Sequence, residues 1–343
     1  MRKLLNTLYI SGQGSYVHRK GETVVIDKKN ETIIQIPIHS LSSIVCFGNI
    51  LISPSLLGFC AERNIAISFL TEYGKFLASV QSPMHGNVLL RRQHYRIADD
   101  IEKSFRIASF IITAKLANCR IVLNRTIRDH SDKVDVLKIK KVSDVLNFLI
   151  DEIRKARDID TLRGIEGQAA AAYFSVFNDL IIEQKEDFIF KERNRRPPLD
   201  EVNALLSFIY TILMHDIKSS LETLGLDPAV GFLHRDRPGR PGLALDIMEE
   251  FRPVLADRLV LSLINRKQVT KREFIKAYNG SVTMEKETIK KVLTEYENRK
   301  KDEILHSYIG EKVPIGLLFF IQANLMARFI RGDIDGYPPF FWR

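Results

Sequence analysis

The first 80 residues alternate between short apolar runs and turn-forming residues. Runs rich in β-branched and aromatic residues occur as TLYI, SYVHRK, ETVVID, TIIQIPI, SSIVCFG, IAISFL and KFLASV, which is the pattern of strands. Turn formers separate them at KG, DKKN and EYG. One helix is predicted after Ser53, a suitable N-cap, with Pro54 in its first turn. The pattern predicts seven strands and one helix in a compact, mostly β domain.

The period changes near residue 95. From there, apolar residues recur at three- and four-residue spacing, which indicates amphipathic helices. After a long first helix, the pattern predicts helices at 141–157, 160–181, 200–224, 243–263, 270–277, 285–301 and 309–330. The segment QSPMHGNVLLRRQHY reads as a linker. We therefore predict an α+β protein with a small mostly β domain (1–82), a linker (83–94) and a larger all-α domain (95–343).

Composition narrows the class of protein. The 343 residues have 45% hydrophobic and 27% charged content, which is typical of a globular protein. The net charge of +9 permits an anionic partner without identifying it. The three cysteines lack CxxC spacing, so we expect a reducing cytoplasm and no structural zinc. No run of about 18 apolar residues is present, so no membrane span is expected.

Acids and a histidine share one segment, GFLHRDRPGRPGLALDIMEEFRP (231–253). Asp246 lies three residues before Glu249 and four before Glu250, so these acids share a helix face. Three acids on one helix face are usually exposed to solvent and have no ligand. A single histidine such as His234 is more often a hydrogen-bonded loop residue than a metal ligand. Together, an imidazole and carboxylates form an N/O site suited to Mn²⁺ or, less ideally, Mg²⁺.

Arginines accumulate in two places. The same segment carries Arg235, Arg237 and Arg240 in a Pro/Gly-rich loop, and KERNRRPPLDEVN (191–203) carries Arg193, Arg195 and Arg196 before a predicted helix. Guanidinium groups bind phosphate oxygens bidentately. Both clusters are candidate nucleic-acid contacts, although a solvated loop and a charged linker explain them equally well.

A third element, DTLRGIEGQAAAAYF (160–174), contains Glu166 among small residues. Asp160 or Thr161 is the expected helix cap, and Gly164 and Gly167 would permit close helix approach. Glu166 is either an exposed acid or a buried carboxylate that needs a cation. Spacing does not decide between these, because His234 is far away along the chain.

These three elements together resemble the signature of the CRISPR-associated integrase/endonuclease of the spacer-acquisition machinery. The motifs that carry the resemblance are RGIEGQAAAAYF, RRPPLDEVNALLSFIY and GFLHRDRPGRPGLALDIMEEFRP, in that order. The resemblance covers essentially the whole chain. It implies that Glu166, His234 and Glu249 converge on one Mg²⁺ or Mn²⁺ ion with Asp246 beside them. Glu249 stands where the family often has aspartate.

The resemblance also implies an activity and partners. It implies insertion of short DNA fragments (spacers) into a CRISPR array by attack of a free 3′-OH on repeat phosphodiesters. The expected partners are double-stranded or branched DNA, a second copy of the chain joined through the β domain, and a small ferredoxin-like protein. The tail DGYPPFFWR is either a strap on the protein's own core, which we favour, or a docking peptide.

Two other functions remain open on the sequence. One is a general metal-dependent nuclease on branched DNA, which the same site would serve. The other is a non-catalytic DNA-binding scaffold whose acidic cluster holds no ion. Metal-dependent strand transfer separates all three.

Overall fold

The computed structural model describes residues 6–29, 31–74, 76–80 and 88–342. The chain divides into two compact units, Met1–Gly86 with Glu285–Glu297, and Asn87–Met284 with Asn298–Arg343. The first is rich in strands and the second is mostly helical, as the predicted α+β organisation requires.

Each of the seven predicted apolar runs contains a strand. The strands before residue 81 are β1 (Asn6–Ile10), β2 (Tyr16–Lys20), β3 (Thr23–Lys28), β4 (Glu31–Pro37), β5 (Leu41–Phe47), β6 (Leu51–Ile52), β7 (Ala66–Leu70) and β8 (Phe76–Val80). The sequence missed β6, because two residues are too short to show a period. The predicted helix is α1 (Pro54–Glu62), capped by the Ser53 hydroxyl, which accepts the Leu56 N–H at 3.2 Å.

The strands form two four-stranded sheets, ordered β1-β5-β7-β8 and β4-β3-β2-β6. In the first sheet β1, β5 and β7 are parallel, and β8 pairs antiparallel with β7. Their apolar faces share one core with α1, which also buries Cys46 and Cys60. Every second residue of a strand faces the same side of its sheet. Burial of that side in the core therefore explains why apolar and polar residues alternate along the strands.

The second unit is built mainly from helices. The helices after residue 87 are α2 (Val88–Asp99), α3 (Ile101–His130), α4 (Val136–Lys155), α5 (Ile159–Ser175), α6 (Glu201–Thr223), α7 (Gly242–Phe251), α8 (Arg258–Asn265), α9 (Lys286–Lys301) and α10 (Ile315–Arg331). Helix α9 begins in the first unit and ends in the second. Two hairpins accompany them, β9 (Phe274–Lys276) with β10 (Val282–Met284), and β11 (Glu303–Leu305) with β12 (Lys312–Pro314).

Helix α3 lies at the centre of this unit. It packs against α4, α5 and α7. Its length and apolar composition would suffice to cross a membrane, but 61% of its most apolar window is buried in the protein. Its buried residues include Lys115 and Asn118. These are the features of the core helix of a folded domain.

The predicted domain boundaries need two corrections. Of the linker predicted at 83–94, residues 83–87 lie outside the described part, and residues 88–94 belong to α2, where Leu90 and His94 are buried. Residues 285–297, assigned by sequence to the helical domain, belong to the first unit. There Tyr9 Oη donates to Glu297 at 2.9 Å and Lys286 pairs with Glu72 at 2.9 Å. Position along the chain does not reveal such long-range packing.

Two predicted helices also differ from the helices in the structure. The helix predicted at 270–277 is wrong, because β9 pairs with β10 around the turn at Gly280. The helix predicted at 243–263 is interrupted by a π-helical turn, Arg252–Asp257, between α7 and α8. Pro253 lacks the N–H that a continuous α-helix would use there.

The C-terminal tail is a strap on the core of its own unit, as we favoured. Tyr337 and Phe340 are buried. The backbone N–H of Trp342 donates to Asn118 on α3 at 2.9 Å, and its ring receives the guanidinium groups of Arg258 and Arg299 at 5.1 and 5.6 Å. The tail therefore ties α3 to α8 and the end of α9.

Candidate active site

Asp246 orients His234. Its buried carboxylate accepts the backbone N–H groups of Phe232 (2.6 Å), Leu233 (3.0 Å) and His234 (3.1 Å). The ring Nδ1 of His234 lies 2.5 Å from the same carboxylate. Because this carboxylate already accepts three backbone N–H groups, Nδ1 is assigned as the donor to it, and in that tautomer of the neutral imidazole Nε2 keeps its lone pair. Asp246 thus supports the histidine and is not itself exposed to a ligand.

Two glycines let the histidine loop reach the start of α7. A Cβ on Gly231 would lie 2.8 Å from the carbonyl carbon of Gly242 and 2.9 Å from Asp246 Oδ2. A Cβ on Gly242 would lie 2.6 Å from the carbonyl oxygen of Ala229. Any side chain at either position would push the loop away from Asp246.

Arg163 joins the histidine loop to α5. Its Nε and Nη2 donate to the carbonyl of Leu233 at 2.9 and 2.7 Å, and Nη1 donates to Asp160 at 2.7 Å. Arg235 reaches the same Asp160 carboxylate at 2.7 Å. Because Glu166 lies one turn after Arg163, this clamp sets the position of Glu166 relative to the loop.

Lys115 on α3 brings two of the predicted ligands together. Its Nζ bonds to Glu166 on α5 and lies 2.8 Å from Glu249 Oε2 on α7. The other oxygen of Glu249 accepts from Arg252 Nη1 at 2.6 Å. The side chains of Lys115 and Glu249 are 9% and 3% exposed, whereas Glu166 keeps 29% and opens toward solvent. Two carboxylates and two cations therefore form one cluster.

Electrostatics keep this cluster charged. Burial alone would raise the pKa of Glu249, but the guanidinium of Arg252 and the ammonium of Lys115 outweigh it and hold that pKa well below its usual value. Burial would likewise lower the pKa of Lys115, and the carboxylates of Glu249 and Glu166 reverse this and raise it. Lys115 and Glu249 are each kept ionised by the charge of the other.

The donor set fits a divalent ion, but this structure does not bring all three predicted ligands together. Within the described ranges, no three His, Cys, Asp or Glu side chains are grouped closely enough to hold a metal. The Lys115 ammonium bridges Glu166 and Glu249. Those two carboxylates already converge on one cation, and His234 offers Nε2. Such oxygen and nitrogen donors suit Mn²⁺ and, less well, Mg²⁺.

The acidic residues of α7 are not a solvated face. Asp246, Glu249 and Glu250 are all buried. Glu250 points away from the cluster and accepts hydrogen bonds from Tyr337 Oη (2.6 Å), the Phe340 N–H (2.8 Å) and Gln322 Nε2 (2.9 Å). Burial raises the pKa of Glu250 to about 8, although these hydrogen bonds oppose the shift. Glu250 therefore fastens the strap.

The predicted DNA-binding arginines divide into two kinds. Arg193 is held internally, by Asn203 Oδ1 at 2.6 Å, Ser207 Oγ at 3.1 Å and the ring of Tyr210 at 5.3 Å. Its Nη1 and Nη2 donors therefore stabilise the start of α6, and DNA contact by Arg193 stays a prediction. The remaining arginines of the set are either exposed (Arg195, Arg196, Arg235 and Arg237) or partly exposed (Arg240).

A cavity opens beside Glu166. Its lining includes Glu166, Lys115, Arg195, Tyr210 and Arg252. The guanidinium groups of this wall are suited to bind a phosphodiester. Of the predicted DNA contacts, Arg193 and Arg195 line this cavity.

Sequence reasoning missed three residues, Lys115, Arg163 and Arg252. Lys115 had a signal, because it lies in phase with the buried stripe Ile111, Asn118 and Val122 of α3. A lysine on a buried stripe requires a carboxylate partner. The cap of α5 was also misplaced: Asp158, not Asp160 or Thr161, accepts the Thr161 N–H at 2.8 Å.

The two glycines of α5 also differ from their predicted role. A Cβ on Gly164 or Gly167 would meet nothing within 4 Å, so neither is required for close helix approach. Ala169 supplies the buried small residue of this helix instead. The open space at the glycines leaves the side of α5 near Glu166 uncovered.

Comparison with known proteins identifies the family. The model of CRISPR associated protein Cas1 matches residues 8–298. The chain is 51% identical over 343 residues to CRISPR-associated endonuclease Cas1 1 of Chlorobaculum tepidum, and 46% identical over 347 residues to CRISPR-associated endonuclease Cas1 2 of Rhodospirillum rubrum. These alignments cover 100% of each chain.

Solved structures have the same fold. A CAS1 protein from Thermotoga maritima matches with a TM-score of 0.82 and 24% identity, over 96% of this chain and 97% of that one. A casposase bound to integration product gives 0.83 and 22%, over 97% and 93%. A chain of a Cas6-RT-Cas1–Cas2 complex gives 0.84 and 21%, over 100% of this chain and 37% of that one.

Proposed function

Because the chain belongs to the Cas1 family of CRISPR-associated proteins, we propose that it is a metal-dependent DNA endonuclease and integrase. It joins the 3′-OH of a short DNA fragment to a phosphodiester of the repeat array. The relatives named as endonucleases support nuclease chemistry. The casposase bound to integration product supports joining by a protein of this fold.

One observation carries the proposal: two carboxylates from different helices, Glu166 and Glu249, converge on a single positive charge. The two carboxylates lie 83 residues apart along the chain, so the tertiary fold brings them together. His234 stands with Nε2 free because Asp246 holds Nδ1. These are the residues that would hold a divalent ion.

A bound Mg²⁺ or Mn²⁺ would polarise the phosphodiester and relieve charge on the leaving oxygen. The chain's own residues do the rest. Glu166 and Glu249 provide charge, Asp246 fixes the histidine, and Arg195 lines the cavity where a phosphate enters. The attacking group comes from DNA or water, so no nucleophilic side chain is required.

DNA contact is proposed to be chiefly to phosphates, through Arg195, Arg196, Arg235, Arg237 and Arg240. The net charge of +9 supports this. Affinity for duplex DNA should fall steeply as salt is added, because each neutralised phosphate releases counterions. A dissociation constant that does not change with salt would contradict it.

Strand transfer tests the function. Incubating the protein and its small partner with a labelled fragment and a supercoiled repeat plasmid should give joined product only with Mg²⁺ or Mn²⁺. Glu166→Ala, His234→Ala and Glu249→Ala should each abolish joining, whereas Asp151→Ala, at an exposed acid of α4, should not. Cutting without joining would favour a general nuclease on branched DNA. Neither activity would favour a DNA-binding scaffold.

Assembly is part of the proposal. We infer a homodimer formed through the strand-rich unit, together with a small ferredoxin-like partner. The Cas1–Cas2 complexes among the structural neighbours support a Cas partner. The three buried free thiols Cys46, Cys60 and Cys119 are compatible with a reducing cytoplasm. Light scattering of the protein alone and with the partner tests the stoichiometry.

A further inference from the structure

Helix α4 packs on the protein with one side only. The helix contacts α3 and α5, and its buried residues are Ile139, Ser143, Leu146, Leu149 and Ile153. The Ser143 hydroxyl donates to Asn124 on α3 at 2.8 Å. The helix is therefore held firmly from one side, and its other side faces solvent.

The solvent side carries a line of four residues, which we call the outer stripe: Leu137, Lys141, Asp144 and Phe148. Their spacing of four, three and four residues places them along one side of a helix. All four are exposed, and Leu137 and Phe148 are 83% and 60% exposed. Single exposed apolar residues are common on protein surfaces. What distinguishes the outer stripe is the order of its members, which is apolar, basic, acidic and apolar.

That order is complementary to its own reverse. When two copies of α4 lie antiparallel with their centre between residues 142 and 143, Leu137 of one copy is level with Phe148 of the other. In the same register, Lys141 is level with Asp144 of the second copy. A two-fold axis repeats both contacts, which is the form of an interface between identical subunits. The outer stripe therefore pairs apolar with apolar and positive with negative, twice each.

The two charges of the outer stripe are available for such a contact. Lys141 forms no ion pair with any other described residue. Asp144 pairs with Lys140 at 2.7 Å, where both side chains are more than half exposed. An exposed pair of this kind contributes little to stability, so Asp144 can exchange it for Lys141 of a second copy. A polar pair at the centre of two packed helices also fixes their register.

The composition of the outer stripe argues against other occupants. Asp144 lies within it, and the exposed Asp151 follows Phe148 on the same side of the helix. Like charges repel, so these carboxylates disfavour nucleic-acid phosphates. A helix surface is convex, whereas sites for small molecules are concave. A second copy of α4 matches the stripe at its charged and its apolar positions alike.

We propose that the outer stripe of α4 is an interface between two copies of this chain, packed antiparallel about a two-fold axis. Leu137 contacts Phe148 of the second copy, and Lys141 pairs with its Asp144. This interface lies in the helical unit and is separate from the one inferred for the strand-rich unit. Two different two-fold interfaces in one chain allow assemblies larger than a dimer. The inference does not depend on the proposed action on DNA.

Cross-linking tests the register. The double variant Leu137→Cys/Phe148→Cys should form a covalent dimer under mild oxidation, because each new thiol meets the other position on the second copy. Neither single variant should do so, since the two equivalent residues of the antiparallel pair lie about 16 Å apart along the helix axis. A disulfide requires Cα atoms within about 7 Å. The native thiols Cys46, Cys60 and Cys119 are buried, and gel electrophoresis without reductant reads the result.

Charge reversal tests the polar pair. Lys141→Glu should weaken this association at least about 10-fold, because two like-charged pairs then face each other across the interface. Asp144→Lys should have the same effect. The combined variant Lys141→Glu/Asp144→Lys should restore the wild-type association, which a purely structural role of either residue would not produce. Arg154→Glu, at an exposed position of α4 outside the outer stripe, is the matched control and should leave the association unchanged. Sedimentation equilibrium over a concentration series measures all four variants.

Three results would overturn the proposal. One is equal cross-linking by the double variant and by Leu137→Cys alone, and another is association that does not respond to either charge reversal. The third is loss of small-partner binding by Lys141→Glu with unchanged self-association, which would make the outer stripe a docking surface for that partner. Failure of strand transfer by wild type would remove the proposed function without altering these outcomes.

Discussion

Glu249 and Glu250 are neighbours on one helix and both are buried, yet their surroundings shift their pKa values in opposite directions. Glu249 faces Lys115 and Arg252, which lower its pKa. Glu250 faces a phenol, an amide and a backbone N–H, and its burial raises its pKa to about 8. Burial is common to both, so the charge of the partners decides. Glu249 stays ionised beside two cations, whereas Glu250 accepts hydrogen bonds from the strap.

The largest effect should come from exchanging each acid for its amide. Glu249→Gln should reduce strand joining by at least about 100-fold, because a charged oxygen donor is lost beside the reacting phosphate. Glu250→Gln keeps the shape of the side chain and should retain joining within a few-fold. Initial rates of joining at saturating Mn²⁺ measure both. Similar joining rates for the two variants would show that the charge of Glu249 matters no more for joining than that of Glu250.

Removing the cation should cost stability. Lys115→Met leaves Glu166 and Glu249 without their shared ammonium, so the free energy of unfolding should fall by roughly 3–5 kcal/mol. Lys103→Met removes an exposed pair with Asp100 and should cost less than about 1 kcal/mol. Urea unfolding in EDTA measures both. Equal losses would mean that the Lys115 cluster adds no more than a surface pair.

Glu250 should make stability depend on pH. Its folded pKa of about 8 lies above the ordinary value of a glutamate, 4.5, so the unfolded chain releases this proton first as pH rises. The contribution of Glu250 is fully present below about pH 4.5 and should be lost as pH rises to about 8, by up to a few kcal/mol. The difference in unfolding free energy between wild type and Glu250→Gln isolates it from other groups. A difference that stays constant from pH 5 to 8 would assign Glu250 an ordinary pKa.

The smallest expected effect concerns the strap. Tyr337→Phe removes the buried donor to Glu250 and should lower the free energy of unfolding by about 1–2 kcal/mol. Tyr95→Phe removes the same kind of bond, to Asp227 at 2.9 Å, where it is exposed, and should cost less. Thermal unfolding at one pH compares the two. A larger loss from Tyr95→Phe would show that burial does not strengthen the strap bond.

The sequence predicted the secondary-structure elements better than it predicted which elements pack against each other. The seven strand runs and most helices were recognisable, because period two and period 3.6 are written in adjacent residues. The stretch at 270–277 was misread as a helix, since the pairing of β9 with β10 and the packing of Phe274 on Phe188 override a short apolar period. The assignment of 285–297 to the first unit likewise depends on distant partners, such as Tyr9 for Glu297.

The sequence by itself determined the α+β class and the resemblance carried by the motifs around Glu166, His234 and Glu249. Only the tertiary structure decided that Lys115 lies between Glu166 and Glu249, that Asp246 supports the histidine, and that Arg193 is held internally. It also separated Glu249 from Glu250, which no local pattern distinguishes. The physical reason is that periodicity fixes which face of a helix is buried, whereas the charge of a buried group depends on side chains that arrive from other helices.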